Sequence, residues 1–204
     1  MASKERKIEF VQGQDAIALI QATSFERFAQ VLGEATFNPP EDRDAIYVQE
    51  KINEHVQGVL EKIRLQAADG NTIIVTVDGV PAATCSYKKM LSKFHDGRDV
   101  YEIDAGVTLP EPQFKGLRLT QKAQQFIFEK IRRDFPDAPI TITTKHPFVK
   151  SWLTGWHKGG ANDKLRILRS NITFTEDELR TREEEWIRHN WEFFWFDPLE
   201  KNSN

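Results

Sequence analysis

The sequence predicts a mixed α/β fold: a central, mostly antiparallel sheet of about six to seven strands with helices on both faces. Three observations lead there. Segments of two-residue and helical hydrophobic period alternate in the order β-α-α-β-β-β-α-β-α-β-α-β. Strands outnumber helices in the middle of the chain, where a hairpin turn joins two of them, and single helices separate the later strands. The 204 residues, 39% of them hydrophobic, suffice for one substantial core, and Pro and Gly are scattered rather than gathered into a linker. A single domain over residues 1–204 is therefore expected, divided into 1–70, 71–160 and 161–204.

Lys7 to Gln12 alternates Ile8 and Phe10 with polar neighbours and reads as a first strand. Asp15 then caps a helix whose apolar positions are Ala16, Leu19, Ile20, Phe28, Val31 and Leu32. After Asn38-Pro39-Pro40, a second helix runs from about Arg43 to Ala67, with Val48, Ile52, Val56, Leu60 and Ile63 forming one stripe at spacings of three and four. From Asn71 the period changes. Thr72 to Val77 is β-rich, Asp78-Gly79 is a strong hairpin signal, and Ala82 to Tyr87 is the returning antiparallel strand.

A strand from Val100 to Val107 follows, in which Gly106 marks a bulge or a close backbone approach. After Pro110 and Pro112 comes a helix from about Leu117 to Asp134, with Leu119, Ala123, Phe126, Ile127 and Ile131 as its stripe and Pro136 beyond its end. Ile140 to Thr144 is a compact strand, Pro147 to Leu153 a short helix closed by Gly155, and Leu165 to Leu168 a further strand. Thr175 to Glu178 is a capping box opening a helix that ends near Asn190, and Trp191 to Phe196 is a final aromatic strand. Both faces of that last strand are apolar, so its aromatics serve as core, as a homodimer contact or as a wall of a substrate pocket.

Composition excludes several classes. No stretch reaches the roughly 18 to 20 apolar residues of a membrane helix, and Met1 to Ile8 is charged where a secretory signal is apolar, so a cytoplasmic protein is expected. The single cysteine, Cys85, permits no internal disulfide; it reads as a small buried hydrophobe with no base nearby to activate it. No Cys/His cluster has metal-ligand spacing. Charge is segregated. Residues 1–112 hold 12 Lys and Arg against 18 Asp and Glu, residues 113–169 hold 12 against 4, and residues 170–204 hold 4 against 9. A local basic block in an acidic chain is either a solvated face or the seat of a phosphate-bearing ligand. Nucleic-acid binding through the same block would need interleaved aromatics, whereas Phe114, Phe126, Phe128, Phe135, Phe148, Trp152 and Trp156 sit mostly at core-like helix positions.

The informative stretch is the strand from Val100, the loop Thr108–Lys115 and the helix start at Gly116–Thr120. A strand feeding a glycine-containing turn into a helix leaves amide N–H groups unpaired beside the positive end of the helix dipole. That is an anion site, and Lys115, Arg118 and Lys122 add charge to it. The alternative is a glycine that serves only the turn.

Gln113-Phe114-Lys115-Gly116-Leu117-Arg118 resembles the Q/R-x-x-G-x-G/A segment of the GNAT superfamily of N-acetyltransferases. The hairpin before it, the amphipathic helix and strand after it, and Lys145 to Trp156, which is similar to the family's N-P-x-A … Y-x-x-x-G-F helix, extend the resemblance over about residues 72–160. The resemblance implies that residues 1–70 supply substrate-side helices and residues 71–160 bind acetyl-coenzyme A. It implies that the pyrophosphate lies on Gln113, Phe114, Lys115, Gly116, Leu117, Arg118, Leu119 and Thr120, and that the pantetheine arm inserts between two splayed strands along Ile103, Ala105 and Val107. A primary amine then attacks the thioester directly. Its proton goes to Glu102 or Asp104, which share one strand face, with Glu102 favoured. His146, at a strand end, is a further proton shuttle or a loop residue.

Two positions depart from the family pattern. Arg118 stands where the family has a second Gly or Ala, so the loop tilts or the guanidinium touches a phosphate. The family's tyrosine acid is absent, and Leu153 or Ser151 falls at its place. These departures keep open a degenerate GNAT-fold protein that binds acyl-coenzyme A or a protein partner without catalysis. For the enzyme, the acidic flanking segments suit a cationic acceptor such as a polyamine, an aminoglycoside-like amine, a lysine side chain or a protein N-terminus.

Overall fold

A computed structural model describes residues 6–22, 25–37, 43–90, 99–104, 106–144, 167–168 and 192–196. Its elements in chain order are β1 (Ile8–Val11), α1 (Gly13–Ala22), α2 (Glu26–Thr36), α3 (Ala45–Ala68), β2 (Thr72–Val77), β3 (Val80–Met90), β4 (Val100–Ile103), β5 (Val107–Thr108), a 3-10 turn (Pro112–Phe114), α4 (Leu119–Asp134), β6 (Ile140–Thr144), β7 (Ile167–Leu168) and β8 (Glu192–Phe196). The fold is mixed α/β, as expected. The chain forms two compact units, Met1–Tyr87 with Gly106–Gln125, and Lys88–Ala105 with Phe126–Asn204; β3 and α4 each run through the division. The expected helices 147–153 and 175–190 lie outside the described residues.

In the first unit, β1, β2, β3 and β5 pair antiparallel in that order, with Phe10 opposite Val75, Ile73 opposite Cys85 and Ala83 opposite Thr108. The hairpin forms at Asp78 and Gly79, whose φ values of 52° and 81° are the type I′ geometry that matches strand twist. Asp78 also ties in β1, its amide donating to the Lys7 carbonyl at 2.8 Å while its Oδ1 accepts from the Lys7 amide at 3.0 Å. All six residues of β2 are buried, the mark of a strand covered on both faces. Its Ile74 joins Ala16, Phe25, Phe28, Ala29, Leu60, Ile63 and Val107 in one apolar cluster. Asp44 caps α3 by accepting from the Tyr47 amide at 2.9 Å, and the predicted stripe of that helix is deepest at Leu60 and Ile63.

The helix expected to begin at Asp15 and reach Leu32 is instead two helices, and Asp15 lies inside the first turn of α1 rather than at its cap. Phe25 accounts for the break. In one continuous helix it would face about 140° away from Ile20; with the helix interrupted it turns inward, 2% exposed, and stacks on Phe28 at a centroid distance of 4.7 Å. The helix expected from Leu117 starts at Leu119, preceded by the 3-10 turn.

In the second unit β4 pairs parallel with β6, placing Glu102 opposite Thr141, and β6 and β7 pair antiparallel with β8 on its two sides. The aromatic strand is thus interior: Phe196 pairs with both Ile140 and Ile167, is fully buried, and meets Phe128 edge-on at 5.1 Å. Arg132 on α4 fixes that corner, donating to the Ala138 carbonyl at 2.7 Å and the Phe196 carbonyl at 3.1 Å.

The single strand expected over Val100–Val107 is two strands: β4 lies between β3 and β6, whereas β5 leaves that path and pairs with β3. Gly106 marks the change. A Cβ there would sit 2.7 Å from Thr120 Cγ2, 3.1 Å from Cys85 Sγ and 3.2 Å from Cys85 Cβ, so of the two readings of this glycine, a bulge or a close backbone approach, the structure shows the second. Cys85 is itself buried, 1% exposed. Because Thr120 is tied by its hydroxyl and Cys85 Cβ belongs to a buried strand, neither gives way easily. Gly106→Ala is expected to lose about 1 to 3 kcal/mol of stability through overpacking, read from denaturant midpoints. A variant as stable as the parent would contradict the packing described.

Candidate active site

Two buried anchors shape the strand-to-helix turn. Phe114 is 4% exposed and Leu119 fully buried, while Gln113, Lys115, Gly116 and Arg118 are exposed, so the chain rises to the surface between them. Within the turn, the amides of Phe114, Lys115 and Leu117 donate to the carbonyls of Glu111, Pro112 and Phe114 at 2.9, 3.3 and 3.3 Å. Thr108 on β5 acts as a cap supplied from outside the helix: its Oγ1 accepts from the Thr120 amide at 3.2 Å and pairs with the Thr120 hydroxyl at 2.7 Å. The amides of Gly116, Arg118, Leu119 and Gln121 have no hydrogen-bond partner among the described residues. Those of Arg118, Leu119 and Gln121 are orphan donors of the first turn of α4, at the positive end of its dipole, and that of Gly116 belongs to the turn before it.

Gly116 has φ of 81°, and a Cβ there would meet nothing within 4 Å. Arg118 has φ of 53°, a left-handed backbone that costs a residue with a side chain roughly 1 to 2 kcal/mol. The turn therefore keeps a glycine-like backbone at Arg118 despite the bulk of its side chain. Lys115, Arg118 and Lys122 are all exposed. A fourth cation joins them: the Arg6 guanidinium donates to the Gln113 carbonyl. The two residues lie 107 apart, and nothing in the local pattern around Arg6 signals the contact.

The acidic candidates lie in the second unit. Ile103 is fully buried, and Glu102, on the opposite face of β4, pairs with Lys88 at 2.7 Å through its Oε2. A second pair, Lys89 with Asp99, is also 2.7 Å and more exposed. Burial acts against the charge on Lys88, but the hydrogen bond to Glu102 and the negative charges of Glu102 and Asp104 outweigh it, so its pKa is raised above 10.5. A raised lysine stabilises the fold fully below its unfolded pKa and loses that contribution as pH climbs through the folded value. The melting-temperature gap between the parent and Lys88→Met is thus expected to hold through neutral and mildly alkaline pH and to close only above about pH 10.5. For a pair this exposed the gap corresponds to about 1 kcal/mol or less. A gap already gone by about pH 9 would contradict the pairing.

Of the residues singled out from the sequence, Val107 and 113–120 fall in the first unit, and Glu102, Ile103 and Asp104 in the second; Ala105, His146 and Ser151 lie outside the described residues. Phe114, Leu119 and Val107 are buried, so their side chains are core and only their main chain is available to a ligand. Among the described residues, no group of His, Cys, Asp and Glu could hold a metal ion, and no helix is long and apolar enough to cross a membrane.

No protein-family model and no curated protein matches the chain. Solved structures do. The C-terminal condensation domain of Ebony, in complex with β-alanyl-dopamine, is similar at a TM-score of 0.56 and 9% identity over 95% of this chain and 100% of that one. PH1933 from Pyrococcus horikoshii OT3 is similar at 0.51 and 15% identity over 95% and 98%. The NatC complex bound to Gag peptide and CoA is similar at 0.48 and 14% identity over 95% and 99%. The mixed α/β fold expected from the sequence is thus one that solved structures share over nearly the whole chain; at these identities the likeness extends to the fold alone.

Proposed function

We propose that this GNAT-like chain is an acyl-coenzyme A dependent N-acyltransferase that passes an acetyl group directly to a primary amine. The observation that carries the reading is the turn at 113–121: amides at Gly116, Arg118, Leu119 and Gln121 without a partner among the described residues, open space over Gly116, and exposed cations at Arg6, Lys115, Arg118 and Lys122. A pyrophosphate suits that set, because its oxygens accept from several N–H groups at once and its charge is favoured by the dipole and the cations. The turn's main chain would hold the phosphates, and backbone near Ile103, Ala105 and Val107 the arm that carries the acyl group.

When bound, acetyl-coenzyme A supplies a thioester whose acyl carbon gains a bond to the amine nitrogen as its bond to sulfur breaks. The acceptor reaches neutral solution as an ammonium, which has no lone pair to attack with, so the protein must take its proton. We assign that role to Glu102, with Asp104 next to it in sequence as the other candidate. Lys88 engages one oxygen of Glu102 and orients the carboxylate. A homodimer is a further part of this reading, as is Ser151 in place of the family's tyrosine.

A second reading has one observation in its favour. Glu102 is already engaged by Lys88, which suits a protein that binds acyl-coenzyme A without turning it over. Free-thiol release from acetyl-coenzyme A with a panel of primary amines separates the two. Amine-dependent release is expected; binding without release for any amine would leave only the second reading.

A further inference from the structure

Gln124 occupies a position on α4 where an apolar residue would be expected. It is 3% exposed, and its Oε1 is buried with no hydrogen-bond partner among the described residues. The other deeply buried positions along this helix, Leu119, Ala123, Ile127 and Ile131, are all apolar. A buried carboxamide oxygen left unpaired costs about 1 to 3 kcal/mol, so a leucine here would serve the core better. Native proteins leave few such groups, and each calls for an explanation, of which an occupant is one; Glu111 Oε2, Arg132 Nε and Thr141 Oγ1 share the condition, but Gln124 is the one on the inner face of α4 one turn beyond Thr120.

Its place on the helix indicates which occupant. Gln124 follows Thr120 by four residues and shares its face. Thr120 is the residue tied to Thr108 by its amide and hydroxyl, with its methyl facing Gly106. The vacant acceptor therefore lies one helical turn, about 5.4 Å, beyond the point where α4 meets β5. A ligand whose phosphates sit on the turn would have to present a hydrogen-bond donor there, beyond its phosphates. The arm of an acyl-coenzyme A has such donors in its two amide N–H groups.

We propose that Gln124 is a specificity-determining residue: its Oε1 accepts a hydrogen bond from an amide N–H of the pantetheine arm, selecting acyl donors that carry amides between pyrophosphate and thioester. This rests on the acyl-coenzyme A reading of the turn. Calorimetric titration of the full chain with acetyl-coenzyme A and with adenosine 3′,5′-bisphosphate, which keeps phosphates but lacks the arm, tests it. Gln124→Leu is expected to raise the Kd for acetyl-coenzyme A about tenfold, leave that for the bisphosphate unchanged, and melt at the same temperature as the parent or higher. Should the leucine variant fail to fold, Gln124→Met, unbranched and of similar length, carries the same expectation. Unchanged affinity for acetyl-coenzyme A overturns the proposal, as does an equal loss for both ligands, since that damage would run through the turn. A parent chain that binds neither ligand removes both this role and the reading it rests on, whereas binding of both with no effect at Gln124 removes this role alone.

Discussion

Gly116→Trp is expected to abolish the stabilisation that coenzyme A gives the parent chain. At a ligand concentration of about 100 times Kd, binding to the native state alone adds roughly 2.7 kcal/mol. For a chain of this length that is a rise in melting temperature of roughly 5 to 10 °C. The variant itself should fold. A Cβ at Gly116 meets nothing within 4 Å, so the folding penalty is the left-handed backbone at φ 81°, roughly 1 to 2 kcal/mol and a few degrees. The indole would fill the open space over the turn and block approach to the amides of Gly116, Arg118 and Leu119. A variant that keeps the full shift would show that the nucleotide does not lie on this turn.

Glu102→Gln is the second large effect. If Glu102 takes the acceptor's proton, kcat should fall at least about 100-fold while the affinity for acetyl-coenzyme A stays within about twofold. Glutamine is nearly isosteric, and its amide oxygen can still accept from Lys88, which now holds Glu102 Oε2 at 2.7 Å. The substitution therefore removes the proton acceptor while preserving the local arrangement. Equal turnover at every pH would eliminate Glu102, and Asp104→Asn would become the informative variant.

Much of the fold was legible because the signals were local. Asp78-Gly79 can adopt positive φ at both positions, so the hairpin was readable from two residues. The stripes of α3 and α4 followed from helical spacing, with Leu60, Ile63, Leu119, Ala123, Ile127 and Ile131 all buried. Gly106 was readable as a bulge or a close approach because a strand interior otherwise disfavours glycine. The errors were tertiary. Nothing near residue 25 shows that Phe25 must turn inward to stack on Phe28, and nothing in Val100–Val107 shows that the segment breaks into β4, which lies between β3 and β6, and β5, which pairs with β3.

The turn at 113–120 was legible through its glycine, its cations and its helix, but the long-range contacts made by the candidate residues of either unit were not. Thr108 capping Thr120, Arg6 on the Gln113 carbonyl and Lys88 on Glu102 are contacts between segments 12, 107 and 14 residues apart. Each involves a residue type common on any surface, so the pairing depends on topology that composition does not encode. Gln124 was invisible for a different reason. A glutamine at a buried helix position carries no signal until its burial and its missing partner are known.

The most direct test is to follow the backbone amides by NMR while coenzyme A is added to the intact chain. The amides of Gly116, Arg118, Leu119 and Gln121 should show the largest shifts, because they have donors to give. The Thr120 amide, already committed to Thr108, should move far less. Saturable shifts centred on another surface, with these four resonances unmoved, would contradict a phosphate grip by this turn.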